Sequence, residues 1–481
     1  MGVSTVKKFV FVGLSVLCWS VMLLARAQVQ GQVPVPVTAQ GQGQVPAPGQ
    51  ETAPVATSTT GAESPSRIYI PVGDPNFKKV LIAIEPTIGE SSFANSFFAT
   101  MTSDMEFTDL FEILPPSKLP VSRGGMVPGS FRFEPYRLLG VEFLIKSSVS
   151  FDKGRYQAEV RLFDVTKGVQ ILGRLYPLIG KVATPGRELA HYAGNDIIEA
   201  LTGEPGIFRT RILMSCGQRT KEIYVMDFDG ANVTALTRDG NFALSPSWAP
   251  DGKRILFTSY REWGTKGALN PNLYMYDLST HQRTVVSATK GLNTGGVFHP
   301  FQEKIAYTHS QNGRPEIYIL DLIKKTRFPI TKTLFFSVEP DWSPDGNRLV
   351  FSSSKTGRPH IWVSNADGSA SRRLTFAGVY NSSPNWSPKG DKIVFAGQDN
   401  DGNNFNIFTI DPNGSNLQRL TSDSFSNENP VYSPDARFIA YSSNESGVYQ
   451  IKVMTARGTR SKTLTPKSLG PCKQPRWSPR L

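Results

Sequence analysis

Histidine and cysteine, the side chains most often used for metal binding and nucleophilic chemistry, are scarce in this 481-residue chain, with five of the first and three of the second. No two of His191, His281, His299, His309 and His360 stand at a metal-ligand spacing such as HExxH. Cys18, Cys216 and Cys472 form no CxxC, so the usual sequence marks of a zinc or redox centre are missing. No G-x-S-x-G elbow occurs, which removes the signature of the serine hydrolases. Asp399-Asn400-Asp401-Gly402 imitates the start of a calcium loop, but its glycine is misplaced and no closing Glu follows, so a solvated loop is expected there. No cofactor is expected. Acidic residues are in deficit as well, 40 against 52 basic ones, for a net charge of +12. Without Lys7, Lys8 and Arg26 the balance is 12 − 3 = +9. The basic residues are scattered, so weak attraction to anionic surfaces fits them better than nucleic-acid binding, which needs a stripe of interleaved basic and aromatic side chains.

Long apolar runs are confined to the start. Residues 1–27 read as a secretory signal peptide: Lys7 and Lys8, an apolar core over residues 9–24, and Ala25-Arg26-Ala27 as the cleavage site. A retained membrane helix and a lipid on Cys18 are the competing readings. The apolar run is short for a span, and Leu17 is too large for a lipoprotein cleavage site. No other segment is apolar enough to cross a bilayer, so a mature chain without a transmembrane segment is expected. Residues 28–66 turn to Gln, Gly, Pro, Val and Ala, with Glu51 and Glu63 the only charges. Such a composition buries too little apolar surface to offset its ordering entropy, and a disordered tether is expected.

What the chain does have is a repeat. SPSWAPDG (245–252) returns as GGVFHPFQ (295–302), EPDWSPDG (339–346), SPNWSPKG (383–390), NPVYSPDA (429–436) and QPRWSPRL (474–481). The aromatic at the fourth place falls at Trp248, Phe298, Trp342, Trp386, Tyr432 and Trp477, giving steps of 50, 44, 44, 46 and 45. A period in the forties built of short strands predicts a β-propeller. Each unit reads as four short strands with turn chemistry between them, Pro344-Asp345-Gly346 forming the turn after the first strand in the best copy, and the second strand is very apolar throughout (KIAYTHS, RLVFSSS, KIVFAGQ, RFIAYSS). The outer strands are short and carry Arg, Lys and Thr.

The strand count gives six blades and a remainder. TRILMSC, EIYVMDFDG and NVTALT (207–238) supply second, third and outer strands without a first. QPRWSPRL supplies a first strand without the others. Joined, they close the ring, so the expected fold is an α/β N-terminal domain followed by an all-β six-bladed β-propeller (204–481) closed by the C-terminal strand. By repeat register Cys216 and Cys472 match Ser353 and Ser337, facing positions of one hairpin. In an oxidising compartment a disulfide is expected; two unpaired buried thiols are the alternative.

Residues 67–203 have another rhythm. RIYI and KVLIAIEP read as strands, and Ser91 reads as the cap of a helix with Phe93, Phe97 and Met101 on one face. FEIL, VEFLIKSSVS and the hairpin YQAEVRLFDVTKGVQILG add strands. A helix from about Arg187 stops at Gly203. This is a small α/β domain large enough for its own core.

The residue before each repeat's first strand, namely Ser245, Gly295, Glu339, Ser383, Asn429 and Gln474, is expected to ring one mouth of the channel. Only Glu339 is charged, so the mouth suits hydrogen-bonded docking better than acid–base or metal chemistry. A secreted propeller enzyme, gathering residues from several blades, or a glycan-binding module stays open as the alternative.

The junction ALTGEPGIFRTRI (200–212), the WSPDG repeats, the terminal WSPRL and the small α/β domain together resemble the TolB family. The resemblance covers residues 67–481. It implies a non-enzymatic, monomeric adaptor in a Gram-negative periplasm, freed by cleavage after about Ala27. Its partners would be the lipoprotein Pal, at one propeller face, and TolA, at the N-terminal segment; other outer-membrane or peptidoglycan-associated proteins are possible further partners. The role implied is support of outer-membrane integrity and constriction at division. Residue by residue, it places the Pal contact on Asn293, Thr294, Gly295, Gly296, Val338 and Glu339. The TolA contact falls either in the tether or around Arg67, Ile68, Tyr69 and Ile70, since about 39 tether residues stand where the family has few. Blade three also departs from the pattern, with Phe301-Gln302 in place of Asp-Gly.

Overall fold

The structure, a computed structural model, describes residue 70 and residues 77–480, apart from 121–123, 181, 261–268, 312 and 400–403. The signal peptide, the tether and Arg67, Ile68 and Tyr69 lie outside the described residues.

The α/β domain is a five-stranded sheet in the order β2-β1-β3-β4-β5. Its strands are β1 (Val80–Ile84), β2 (Phe111–Ile113), β3 (Phe143–Asp152), β4 (Arg155–Asp164) and β5 (Val169–Ile179). β1 runs parallel to both of its neighbours, and β3, β4 and β5 form an antiparallel meander. Helices α1 (Ser91–Phe107) and α3 (Pro185–Thr202) lie against each other. Phe93, Phe97, Met101 and Met105 recur every four residues on α1 and are all buried, as one face of an amphipathic helix requires. The cap of α1 is Glu90, one residue before the expected Ser91. Its carboxylate accepts the Ser92 N–H at 3.1 Å, and Ser91 is already the first helical residue. Gly203 closes α3 in the left-handed region, φ 77°, as expected of a glycine stop. The short α2 (Glu134–Leu138) covers the other face of the sheet. There Lys146 is buried and its Nζ donates to Glu85 at 2.6 Å.

Six four-stranded sheets follow. Their inner strands are Cys472–Trp477, Ala243–Trp248, Asn293–Phe298, Ser337–Trp342, Tyr380–Trp386 and Asn427–Tyr432, for blades one to six. Each touches the next, and that of blade six touches that of blade one, so the ring is closed. Blade one is completed as the repeat count requires: Cys472–Trp477 pairs antiparallel with Arg211–Cys216. Cys472 stands opposite Cys216, and Ser337 stands opposite Ser353 in blade four. The two sulfurs form a disulfide across 256 positions of sequence.

The repeated aromatic ties blade to blade. Trp248 Nε1 donates to the Arg476 carbonyl at 3.1 Å, and Trp342 Nε1 to the Val297 carbonyl at 3.4 Å. The departure in blade three has a local cause. His299 Nδ1 accepts the N–H groups of Phe301 and Gln302, at 3.0 and 3.1 Å, and so holds a turn that lacks Asp-Gly; Phe301 is left exposed.

The two domains share one core. Phe107 of α1 meets Phe228 and Phe438 of blades one and six with ring centroids 4.9 and 4.8 Å apart. Arg187 bridges to Asp227 and Asp229 at 3.1 and 2.8 Å, and Arg437 Nη2 donates to the Thr108 carbonyl at 2.9 Å. These contacts come from turns joining the first to the second strand, or the third to the outer strand, of a blade. Because neighbouring strands are antiparallel, such turns share one end of the propeller, and among the described residues the α/β domain covers that end and leaves the other open.

Deleting residues 472–481 removes the inner strand of blade one, and the expected outcome is loss of the cooperative propeller transition in thermal unfolding followed by circular dichroism. A Cys216→Ser/Cys472→Ser variant keeps that strand and is expected to fold with about 2–4 kcal/mol less stability, read from urea unfolding beside the oxidised parent.

Candidate functional site

Every inner strand carries a register shift in the same place. At each shift one residue is left-handed: Ser245 (φ 50°), Gly295 (62°), Glu339 (57°), Ser383 (50°), Asn429 (53°) and Gln474 (59°). A bulge releases one residue from the ladder, which is why Pro can follow it: Pro246, Pro340, Pro384, Pro430 and Pro475 have no N–H to leave unpaired. In blade three Gly296 takes the proline's place, because an added Cβ would come within 2.9 Å of Leu273.

The six residues expected at the mouth are thus brought together, but inside the inner strands rather than before them. They line an axial cavity of about 50 Å³ together with Arg476. Cross-blade hydrogen bonds occupy much of their polarity. Ser245 N donates to Gln474 Oε1 at 2.7 Å, and Gln474 Nε2 returns a bond to Ser245 Oγ at 3.3 Å. Glu339 accepts from Ser383 N at 2.7 Å and from Ser383 Oγ at 3.2 Å, and Asn429 Nδ2 donates to that same hydroxyl at 3.1 Å. Glu339 therefore fastens blade four to blade five.

Two charged residues that the sequence reading passed over stand two places further along their strands, Asp341 and Arg476. Asp341 Oδ2 accepts from Trp386 N at 2.8 Å and from Asn385 Nδ2 at 2.9 Å, again linking blades four and five. Burial pushes the Glu339 carboxyl up, against the bonds from Ser383 and the pull of Arg476. Burial likewise lifts Asp341 to about 6, opposed by Arg476. The signal was available in the repeat register, where the position of Asp341 holds Ser247, Val297, Asn385 and Val431 in other blades and is charged in two of six.

The other expected contact residues divide. Asn293 is fully buried and has no surface to offer a partner. Its Oδ1 accepts from Ser287 and Thr289, and its Nδ2 donates to the carbonyls of Pro271, Thr289 and Gly291. Gly296 is buried too, Thr294 shares a hydroxyl bond with Thr258 at 2.9 Å, and Val338 is half-buried. Ile70, the one described residue of the N-terminal segment, is buried and donates its N–H to the Leu201 carbonyl at 2.9 Å. Among the described residues no group of three or more His, Cys, Asp or Glu could hold a metal ion, and no helix is long and apolar enough to cross a membrane.

The open end of the propeller has a character that the sequence reading did not isolate. The loops leading into inner strands expose Phe242, Leu334, Phe335, Phe376 and Phe425. Leu334 is 77% and Phe376 76% exposed, far beyond what an isolated core-facing residue would show. These apolar side chains stand in loops at the end of the propeller away from the α/β domain, Phe242 beside Tyr260 and Phe376 under the Arg373 guanidinium.

A raised carboxyl sets the sign of a pH test. The folded value for Asp341, about 6, lies above its ordinary unfolded one, so the stability it contributes is present below about pH 4 and is lost as pH rises through 6. Asp341→Asn is expected to flatten that fall, seen as a smaller difference in urea midpoint between pH 4 and pH 7 than in the parent.

Known proteins match this architecture at both levels. The TolB beta propeller domain model matches residues 198–481 and the TolB amino-terminal domain model residues 68–171. The Tol-Pal system protein TolB of Desulfosudis oleivorans is 35% identical over 254 residues, covering 51% of this chain and 56% of that protein. That of Anaeromyxobacter dehalogenans is 33% identical over 253 residues, covering 52% and 56%. The chain thus spans little more than half the length of these curated relatives. The crystal structure of TolB from Acinetobacter baumannii superposes with a TM-score of 0.73 at 26% identity, covering 84% of this chain and 97% of that one. With its propeller, its N-terminal domain and its closure all matched, the chain belongs to the TolB family.

Proposed function

We propose that this chain is a non-catalytic adaptor of the Tol–Pal system in the periplasm. It docks Pal on the open end of the propeller, engages TolA through its N-terminal segment, and supports outer-membrane integrity and constriction at division. The observation that carries the reading is the open face itself: exposed Phe242, Leu334, Phe335, Phe376 and Phe425 stand in loops at the end of the ring where the inner strands begin, and the axial carboxylates Glu339 and Asp341 are tied to the neighbouring blade. Side chains fixed in this way suit a rigid docking surface better than proton transfer. The relatives' designation as Tol-Pal system proteins supports the same assignment. For TolA, the burial of Ile70 favours a contact further upstream, in residues 28–66.

Calorimetric titration of residues 28–481 with the soluble domain of Pal from the same organism tests the reading. Saturable one-to-one binding is expected. Phe376→Ser should weaken it tenfold or more, about 1.4 kcal/mol, without moving Tm, because the side chain is exposed. Glu339→Gln, which keeps an acceptor for Ser383, should weaken it less. Absence of binding by the folded chain would overturn the adaptor assignment; binding untouched by Phe376→Ser would move the site off this face.

A further inference from the structure

A second cleft opens on the flank of the ring, between the outer part of blade three and the body of blade four, with a volume of about 410 Å³. Its floor holds two buried polar groups without a hydrogen-bond partner: Trp362 Nε1 and Ser364 Oγ, on residues 7% and 2% exposed. An unsatisfied buried donor or hydroxyl is costly, and the repeat shows that this one is not required by the fold. Ser364 pairs with Leu349 across the hairpin. The residue at the same register in the other blades is Met226, Tyr276, Leu320, Ile410 or Met454. Five blades fill the position with a large side chain; blade four places a small hydroxyl there and keeps a hollow beneath it.

The walls indicate what the hollow holds. Lys332 and Lys355 stand at the rim, with Lys355 Nζ 5.2 Å from the Trp362 ring centroid, and Asp367 and the hydroxyls of Ser369 and Ser371 complete the lining. An indole N–H can only donate, and two ammonium groups against one carboxylate leave a positive excess. The occupant must therefore accept hydrogen bonds and carry negative charge, while the serine hydroxyls and Asp367 suit a ligand rich in hydroxyls of its own. We propose that this inter-blade cleft is a binding site for a small acidic saccharide, a sugar bearing one carboxylate or phosphate, with the acid group at the lysines and a ring oxygen or hydroxyl on Trp362 Nε1 and Ser364 Oγ. The cleft lies on the flank, with Lys332 in the loop that also carries Leu334 and Phe335, and the proposal stands whether or not Pal docks on the open face.

Titration of the full chain with glucuronate, glucose 6-phosphate, glucose and inorganic phosphate tests this, with the Trp362 indole N–H followed by NMR and assigned through Trp362→Phe. At least one acidic sugar is expected to bind tenfold or more tighter than glucose and than phosphate, and to shift the Trp362 resonance; which one does so identifies the acid group. Ser364→Met, which restores the filler of the other blades, is expected to abolish that binding while raising Tm by about 2 °C. The exposed Lys355→Gln should weaken binding tenfold with Tm unchanged. Failure of both acidic sugars, equal binding of glucose or phosphate, or acidic-sugar binding that survives Ser364→Met undiminished would overturn the proposal.

Discussion

The pairing of Cys472–Trp477 with Arg211–Cys216 is the constraint on which the rest of the molecule rests. A propeller without its last inner strand has an open edge at blade one and no continuous wall around its axis. The seam gathers more than a ladder. The disulfide lies at one end of the pair. At the other, Trp477 reaches Thr210 and Ser478 Oγ accepts the Arg211 N–H at 3.0 Å. The α/β domain settles on the same place, its aromatic contacts falling on blades one and six. One strand therefore closes the ring, completes the axial cavity through Gln474 and Arg476, and supports the surface beneath the N-terminal domain.

Much of this was legible because repeats compare a chain with itself. The fourth-place aromatic set the blade count, and the match of Cys216 and Cys472 to Ser353 and Ser337 set the register across 256 residues. What a one-dimensional pattern does not carry is backbone handedness. Ser245, Glu339, Ser383, Asn429 and Gln474 share no side-chain chemistry that announces a positive φ; the proline after each is the only trace the repeat carries. Asn293 was expected at a contact surface because the family resemblance places one there, yet here it seals a loop with five hydrogen bonds. Phe376 and Phe425 sit among polar loop residues with no period of their own, and only the fold shows that their loops share one end of the ring.

The polar interior divides into two kinds. Along the axis, Glu339, Asp341 and Asn385 are paired across blade boundaries, so burial is offset by bonds that also hold neighbouring blades in place. In the flank of blade four, Ser364 and Trp362 have no such partner. Other buried groups without a partner, such as Tyr307 Oη and Asn272 Nδ2, line no part of that cleft; it is the meeting of two such groups on one hollow that points outside the chain. That distinction, more than charge or conservation of motif, separates what stabilises this ring from what it leaves available.

The seam has a consequence in time as well as in space. A chain is made from its N-terminus, and the strand that completes the first blade emerges some 256 residues after the strand it pairs with. Throughout that interval blade one presents a bare sheet edge, and five later blades can form while the circle stays open. The order of synthesis and the order of assembly are therefore opposed: the first blade started is the last one finished. Until Cys472–Trp477 arrives, the Arg211–Cys216 strand lacks its inner partner, and an unpaired sheet edge is where wrong pairing starts.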